Sequence, residues 1–196
     1  YHLAFGLALT EDTDLDEALA LGRQALEIFK NHQSLGWIAS VYGMLGYIHW
    51  LRHEPEDAIA ACEQAIPIYR QLEEPDFIPE LYGYIGLAYL QKSDLQKALE
   101  FTSMAMDEMM RSELYDIASE IYYAHAATLD ALGRKDEARD YFQRGYANLL
   151  TYAAEIDDPD AVQAFFRRDP TVRCLMERVY EYGLAARPQV ESHLVP

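Results

Sequence analysis

The chain has 196 residues, 51% hydrophobic and 25% charged, enough for one globular domain or a short solenoid with a sizeable core. Lys and Arg number 16 against 33 Asp and Glu, a net charge of −17, which opposes binding to nucleic acid or an anionic membrane, where cations must neutralise phosphates. No apolar run reaches the roughly 18–20 residues of a membrane span. The two cysteines, Cys62 and Cys174, lack CxxC spacing; they support neither a zinc site nor a disulfide framework and fit a reducing, cytoplasmic setting.

The predicted elements recur with a forty-residue step. Gly6, Gly46, Gly86 and Ala126 stand in register, as do Ala18, Ala58, Ala98 and Ala138, and then Ala25, Ala65, Ala105 and Gly145. In the first copy, "YHLAFGLALT" matches only the latter half of a helix that the second copy writes in full, and the chain starts without Met. It therefore reads as a fragment of a longer protein. In the second copy Ser34 is expected to cap "LGWIASVYGMLGYIHWL". The break at "RHEPED" then puts Pro55 in the first turn of the next helix, with Glu54, Glu56 and Asp57 complementing its dipole. Pro67 inside that helix predicts a bend or a freed carbonyl. The third copy opens its second helix at "SDLQ", residues 93–96, a capping-box pattern, and the fourth breaks at Gly133.

Short breaks between helices predict antiparallel hairpins, and no stretch alternates like a strand. The fold class is all-α. A glycine inside a helix costs roughly 1 kcal/mol against alanine, so its retention opposite an alanine predicts helix axes at the short end of the roughly 8–10 Å range.

After Tyr152 the register fails. Asp158-Pro159 and Asp169-Pro170 each supply a cap and a first-turn proline, so residues 154–185 are expected to form two capping helices. Val162, Phe165, Val172, Leu175 and Val179 would cover the open face of the last repeat. Arg167, Arg168, Arg173 and Arg178, interleaved with Asp169, Glu177 and Glu181, read as the solvated side of those helices. Residues 186–196 read as an extended tail, with Val190, Leu194 and Val195 expected on an apolar surface unless the final "LVP" is a tag remnant.

Residues 1–153 resemble the tetratricopeptide repeat family. The resemblance is carried by Phe5-Gly6, Ala18 and Ala25; by Leu45-Gly46, Ala58 and Ala65; by Ile85-Gly86, Tyr89, Ala98 and Ala105; and by Ala126, Ala138 and Phe142. It implies an α-solenoid of four antiparallel hairpins in a right-handed superhelix, the first helices lining the concave face. The step exceeds the family's usual period of about 34 residues, implying longer helices of a kind found in its bacterial signalling members. The "AFF…DPTVRCLMERV" ending is similar to the ends of repeat regions in bacterial ATPase regulators and cyclase-associated signalling proteins.

The 4-then-3 spacing of Gly43, Tyr47 and Trp50 sets them on one helix face. Their equivalents are Gly83, Leu87 and Leu90, then Tyr123, Ala127 and Asp130, with Met44, Tyr84 and Gln91 adjoining. On the inner helices that the resemblance implies, the predicted groove is Met44, Tyr47, Trp50, Tyr84, Leu87, Leu90, Gln91, Tyr123 and Asp130. Tyr47 and Trp50 are expected to be partly exposed, beside an acidic rim of Glu80 or Asp130. These faces lack the Lys, Arg and Asn of the family's carboxylate-clamping members, and Asn31 and Asn148 fall on second helices. The groove should prefer an apolar or basic segment of a protein or peptide.

Catalytic signals are weak. His49 and His53 have a metal-compatible i,i+4 spacing. However, His49 aligns with the packing positions Leu9, Tyr89 and Leu129, and no matching carboxylate is evident. Paired acids sit at helix starts, where the dipole accounts for them, and Cys62 reads as a small core residue. No cofactor motif is found. The reading is a non-catalytic protein–protein interaction scaffold or sensor module of a larger bacterial signalling or regulatory protein. A homo-oligomerisation module, such as a homodimer, is the alternative, and a metal-dependent enzyme a remote one.

Overall fold

The structure, a computed structural model, describes residues 14–112, 118–158, 161–162, 166 and 169–187. These carry α1 (Leu15–Asn31), α2 (Leu35–Leu51), α3 (Pro55–Gln71), a 3-10 turn (Pro75–Phe77), α4 (Ile78–Gln91), α5 (Leu95–Ser112), α6 (Ala118–Ala131), α7 (Lys135–Ala154) and α8 (Pro170–Glu181). Among the described residues there is no strand. Helices α1, α3, α5 and α7 begin at Leu15, Pro55, Leu95 and Lys135, one every forty residues. Pairs α2–α3, α4–α5 and α6–α7 form hairpins; α2 then packs on α4, and α4 on α6. The result is an all-α solenoid. Phe5, Gly6 and Leu9 of the first copy lie outside the described residues.

The small residues act as the spacing predicts. A Cβ at Gly46 would overlap Cys62 Sγ and stand 3.2 Å from the Ala58 carbonyl; one at Gly86 would overlap Thr102 Cγ2 and stand 3.3 Å from the Ala98 carbonyl. Ala58, Ala65, Ala98, Ala105 and Ala138 are fully buried. Gly145 serves two neighbours, since a Cβ there would stand 3.2 Å from Tyr122 Cβ of α6 and 3.1 Å from Leu175 of α8.

Helix ends depart from the sequence reading. Ser34 occupies the cap position of α2 but its side chain makes no cap hydrogen bond. In "SDLQ" the cap is Asp94, whose Oδ1 accepts from the Lys97 N–H at 3.2 Å. Ser93 is instead the left-handed residue closing α4, at φ 59°. Gln33, His53, Glu73 and Gly133 hold the same conformation after α1, α2, α3 and α6. Each closes its helix with paired backbone bonds: the His53 N–H donates to the Trp50 carbonyl at 3.0 Å and the Glu54 N–H to that of His49 at 2.9 Å. This is the Schellman arrangement. Pro67 is exposed and α3 continues past it to Gln71, so the lost donor falls on the solvent side.

At the C-terminal end, Asp169 caps α8 by accepting from the Thr171 and Val172 N–H groups at 2.7 and 3.1 Å, with Pro170 in the first turn. Val172, Leu175 and Val179 are buried with Leu129, Phe142 and Leu149. Arg173 is exposed, but Arg178 corrects the expectation of a solvated row: it pairs with Asp130 and Glu181. Phe165, Arg167, Arg168 and the tail residues Val190, Leu194 and Val195 lie outside the described residues. No described helix is long and apolar enough to cross a membrane.

Candidate functional site

Of the predicted groove residues, Tyr47, Trp50, Tyr84 and Gln91 come together, and two of the expectations about the set are corrected. Tyr47 is 2% exposed and Trp50 7%, where partial exposure was expected. The close stacking of α2 on α4 is the reason. The Tyr47 ring lies 5.7 Å from Trp50 and 5.1 Å from Tyr84, centroid to centroid. Gln91 Nε2 crosses from α4 to donate to the Trp50 carbonyl at 2.9 Å. Met44, Tyr84 and Leu87 are buried too, while Leu90, Gln91 and Tyr123 are half-buried. These aromatics seal the seam between repeats.

The second correction concerns Asp130. It is buried and serves as an anchor, not as a rim: Lys135, Arg178 and Tyr182 all bond its carboxylate. Burial would raise its pKa, but the hydrogen bonds from Lys135 and Tyr182 and the Arg178 charge outweigh that and hold it low. Helix α8 thus lies along α6. Cys174 meets the Tyr123 hydroxyl, and Thr171 stands against that of Tyr47. Burial, reinforced by the Asp169 carboxylate, pushes the Tyr47 phenol up. The last described helix, α8, occupies the C-terminal part of the face predicted for a partner.

Beside the start of α8, three carboxylates from separate elements come near one another: Glu80 of α4, Glu120 of α6 and the cap Asp169. Tyr84 donates to Glu80, and Ser119 Oγ to Glu120 Oε2 at 2.9 Å. Burial first, then the charges of Asp169 and Glu80, raise Glu120 to about 8. Glu80 and Asp169 are also raised, mainly by burial.

A cleft opens between α2 and α4. Its inner chamber, about 140 Å³, is lined by Met44, Tyr47, Tyr69, Glu80 and Tyr84, among others. An outer hollow of about 260 Å³ shares Ser40, Tyr69 and Phe77 with it and reaches Trp37. Trp37 and Phe77 are 46% and 49% exposed; Trp37 is backed by the Phe29 ring at 5.5 Å and Phe77 by the Tyr69 ring at 4.9 Å. Sequence reasoning missed Trp37, Tyr69 and Phe77. A signal existed, since Trp37 and Phe77 stand forty residues apart, and positions 37, 40, 44 and 47 continue one helical stripe. Tyr69 belongs to a second helix, where no groove residue was sought.

His49 does find carboxylates. Its Nδ1 lies 2.6 Å from Glu54 Oε2, Arg52 Nε donates to Glu54 Oε1 at 2.9 Å, and one ligand atom each of His49, Glu54 and Asp57 falls within 4.8 Å of the others. His53 is exposed on the left-handed turn instead. The bond to His49, then the bond and charge of Arg52, hold Glu54 below the usual carboxylate range. With both Glu54 oxygens engaged, the group locks the α2–α3 break. Burial pushes the Cys62 thiol well up, the opposite of nucleophile activation.

Two sequence profiles described as tetratricopeptide repeat match residues 1–71 and 119–147. No curated protein sequence matches the chain. In three dimensions it is similar to aspartyl phosphate phosphatase F from Bacillus subtilis, with a TM-score of 0.62 at 17% identity over 87% of this chain. That alignment spans 46% of the phosphatase, so the chain matches less than half of that protein's length. The helical hairpin repeats and these matches make the chain a tetratricopeptide-repeat protein, an all-helical scaffold of the protein-interaction type.

Proposed function

We propose that the chain is a non-catalytic, cytoplasmic interaction module of a larger bacterial signalling or regulatory protein, and that it binds an apolar or basic segment of a partner protein across the α2–α4 side of its inner face. The observation carrying this reading is the pair of exposed rings, Trp37 and Phe77, at the mouth of a cleft walled by Met44, Tyr47 and Tyr84. Aromatic anchors at the edge of a preformed concavity are the groups that dominate protein interfaces. The C-terminal portion, around Tyr123 and Asp130, is taken by α8, which moves the proposed contact towards the earlier repeats. The net charge of −17 favours a basic partner.

A photo-crosslinking amino acid placed at position 77, and at exposed Gln143 of α7 as a control, tests the reading in extract of the source cells. The expected result is a protein captured from position 77 alone, which then binds the purified chain saturably and loses affinity with Phe77→Ala. Capture of a second copy of this chain would favour the homo-oligomer, and equal capture from both positions would sink the proposal.

A further inference from the structure

Trp37 and Phe77 are the same position of successive repeats, and the cleft runs inward from them. Its outer hollow carries one acid, Glu74; its inner chamber has Tyr47, Tyr69 and Tyr84 as walls and the Glu80 carboxylate among its lining groups. At the start of α8, Asp169 stands near Glu80 and Thr171 near Tyr47. Glu80 accepts a hydrogen bond from Tyr84. Among the described residues it has no lysine, arginine or histidine within ion-pairing distance.

We infer that this cleft is a receptor slot for a single cationic side chain, arginine above lysine, carried by the partner protein; the inference rests on the protein-binding reading above. Three physical requirements coincide there. Ring faces attract a cation, most strongly where water is thin. A guanidinium is planar, stacks on rings such as Phe77, and can meet a carboxylate with two donors at once. A half-buried carboxylate with no cation beside it is costly, and an incoming cation relieves that cost. An aliphatic side chain would fill the same volume and leave Glu80 as it stands. Lysine brings a compact, strongly hydrated charge that stacks less well.

The test uses blocked dipeptides and the full chain. Acetyl-Leu-Arg-amide, its neutral isostere acetyl-Leu-citrulline-amide and acetyl-Leu-Lys-amide are titrated while the indole N–H of Trp37 is followed by NMR. Buried Trp50, the other of the two tryptophans, is the internal reference. The expected result is saturable movement of Trp37 and not Trp50, with the arginine probe at least tenfold tighter than the citrulline one and lysine between them. Glu80→Gln should bring the arginine probe down to the citrulline level while melting no lower than wild type. Equal binding of arginine and citrulline, no effect of Glu80→Gln, or a stationary Trp37 would each overturn the slot. The outcomes separate the two proposals. A partner captured from position 77 with no arginine binding leaves the interaction reading standing and removes the slot. Arginine binding with no partner captured from position 77 leaves the cleft a cation site and overturns the claim that a partner protein supplies the cation.

Discussion

Trp50 has almost no solvent exposure and packs on Tyr47, with its carbonyl held by Gln91. Trp50→Ala should therefore cost about 3–5 kcal/mol of stability through the cavity it leaves, read as a fall in denaturant midpoint, with the change in partner affinity following only from that loss. Glu120 tests electrostatics. Its folded pKa of about 8 stands above its ordinary 4.5 because it is buried near Asp169 and Glu80. Protonation thus favours the folded chain: the stability it confers is full below pH 4.5 and lost as pH rises towards 8. Glu120→Gln should raise the melting temperature at pH 8 relative to wild type and flatten its decline between pH 5 and 8. An equal effect at pH 4.5 and pH 8 would contradict the assignment. The sequence made the aromatic positions legible but not their exposure. A 4-then-3 stripe says which residues share a face, whereas the sealing of Tyr47 by Tyr84 depends on how closely α2 and α4 approach, and the burial of Glu120 on where α8 comes to rest.

The helix hairpins were legible for a local reason: Gly46 and Gly86 must lie against Cys62 and Thr102, and that demand is written in the residues themselves. The helix ends were less so, because four left-handed closures fall on Gln33, His53, Glu73 and Ser93, with glycine only at Gly133 and Gly183 among the described residues. Side chains other than glycine are strained in that conformation. Ser93→Gly, which copies what Gly133 does in the next repeat, should stabilise the chain by about 0.5–1 kcal/mol after the entropy of the unfolded glycine is subtracted. Chemical denaturation with an unchanged slope would measure it. Helix α8 depends on one charged node, since Asp130 joins it to α6 and to Lys135 at the start of α7. Asp130→Ala removes the bonds from Lys135, Arg178 and Tyr182, while Arg178 keeps Glu181, and should cost about 1–3 kcal/mol. Faster hydrogen exchange across residues 170–181, with α2 and α3 unaffected, would locate the loss. Nothing in the sequence marked Asp130 as such a node, because its partners on and just after α8 sit 48 and 52 residues away.

At the scale of the whole molecule, the charge surplus governs encounters. With 33 acidic and 16 basic residues, association with a basic partner should slow steeply as ionic strength rises, while dissociation changes little. Stopped-flow rates at several salt concentrations would show it, and a salt-independent on-rate would argue for an apolar partner. The forty-residue step has a consequence for how such a chain can change. The breaks before Pro55, Leu95 and Lys135 close through equivalent left-handed residues, and the hairpins α2–α3 and α4–α5 close on the equivalent glycines Gly46 and Gly86. A tandem in-frame duplication of the segment encoding residues 55–94 would therefore join like to like at both of its seams. It would lengthen the rod by one hairpin and bring a second Phe77 with it, so that a lineage carrying this gene can add recognition positions by unequal crossing-over, with no new fold to invent.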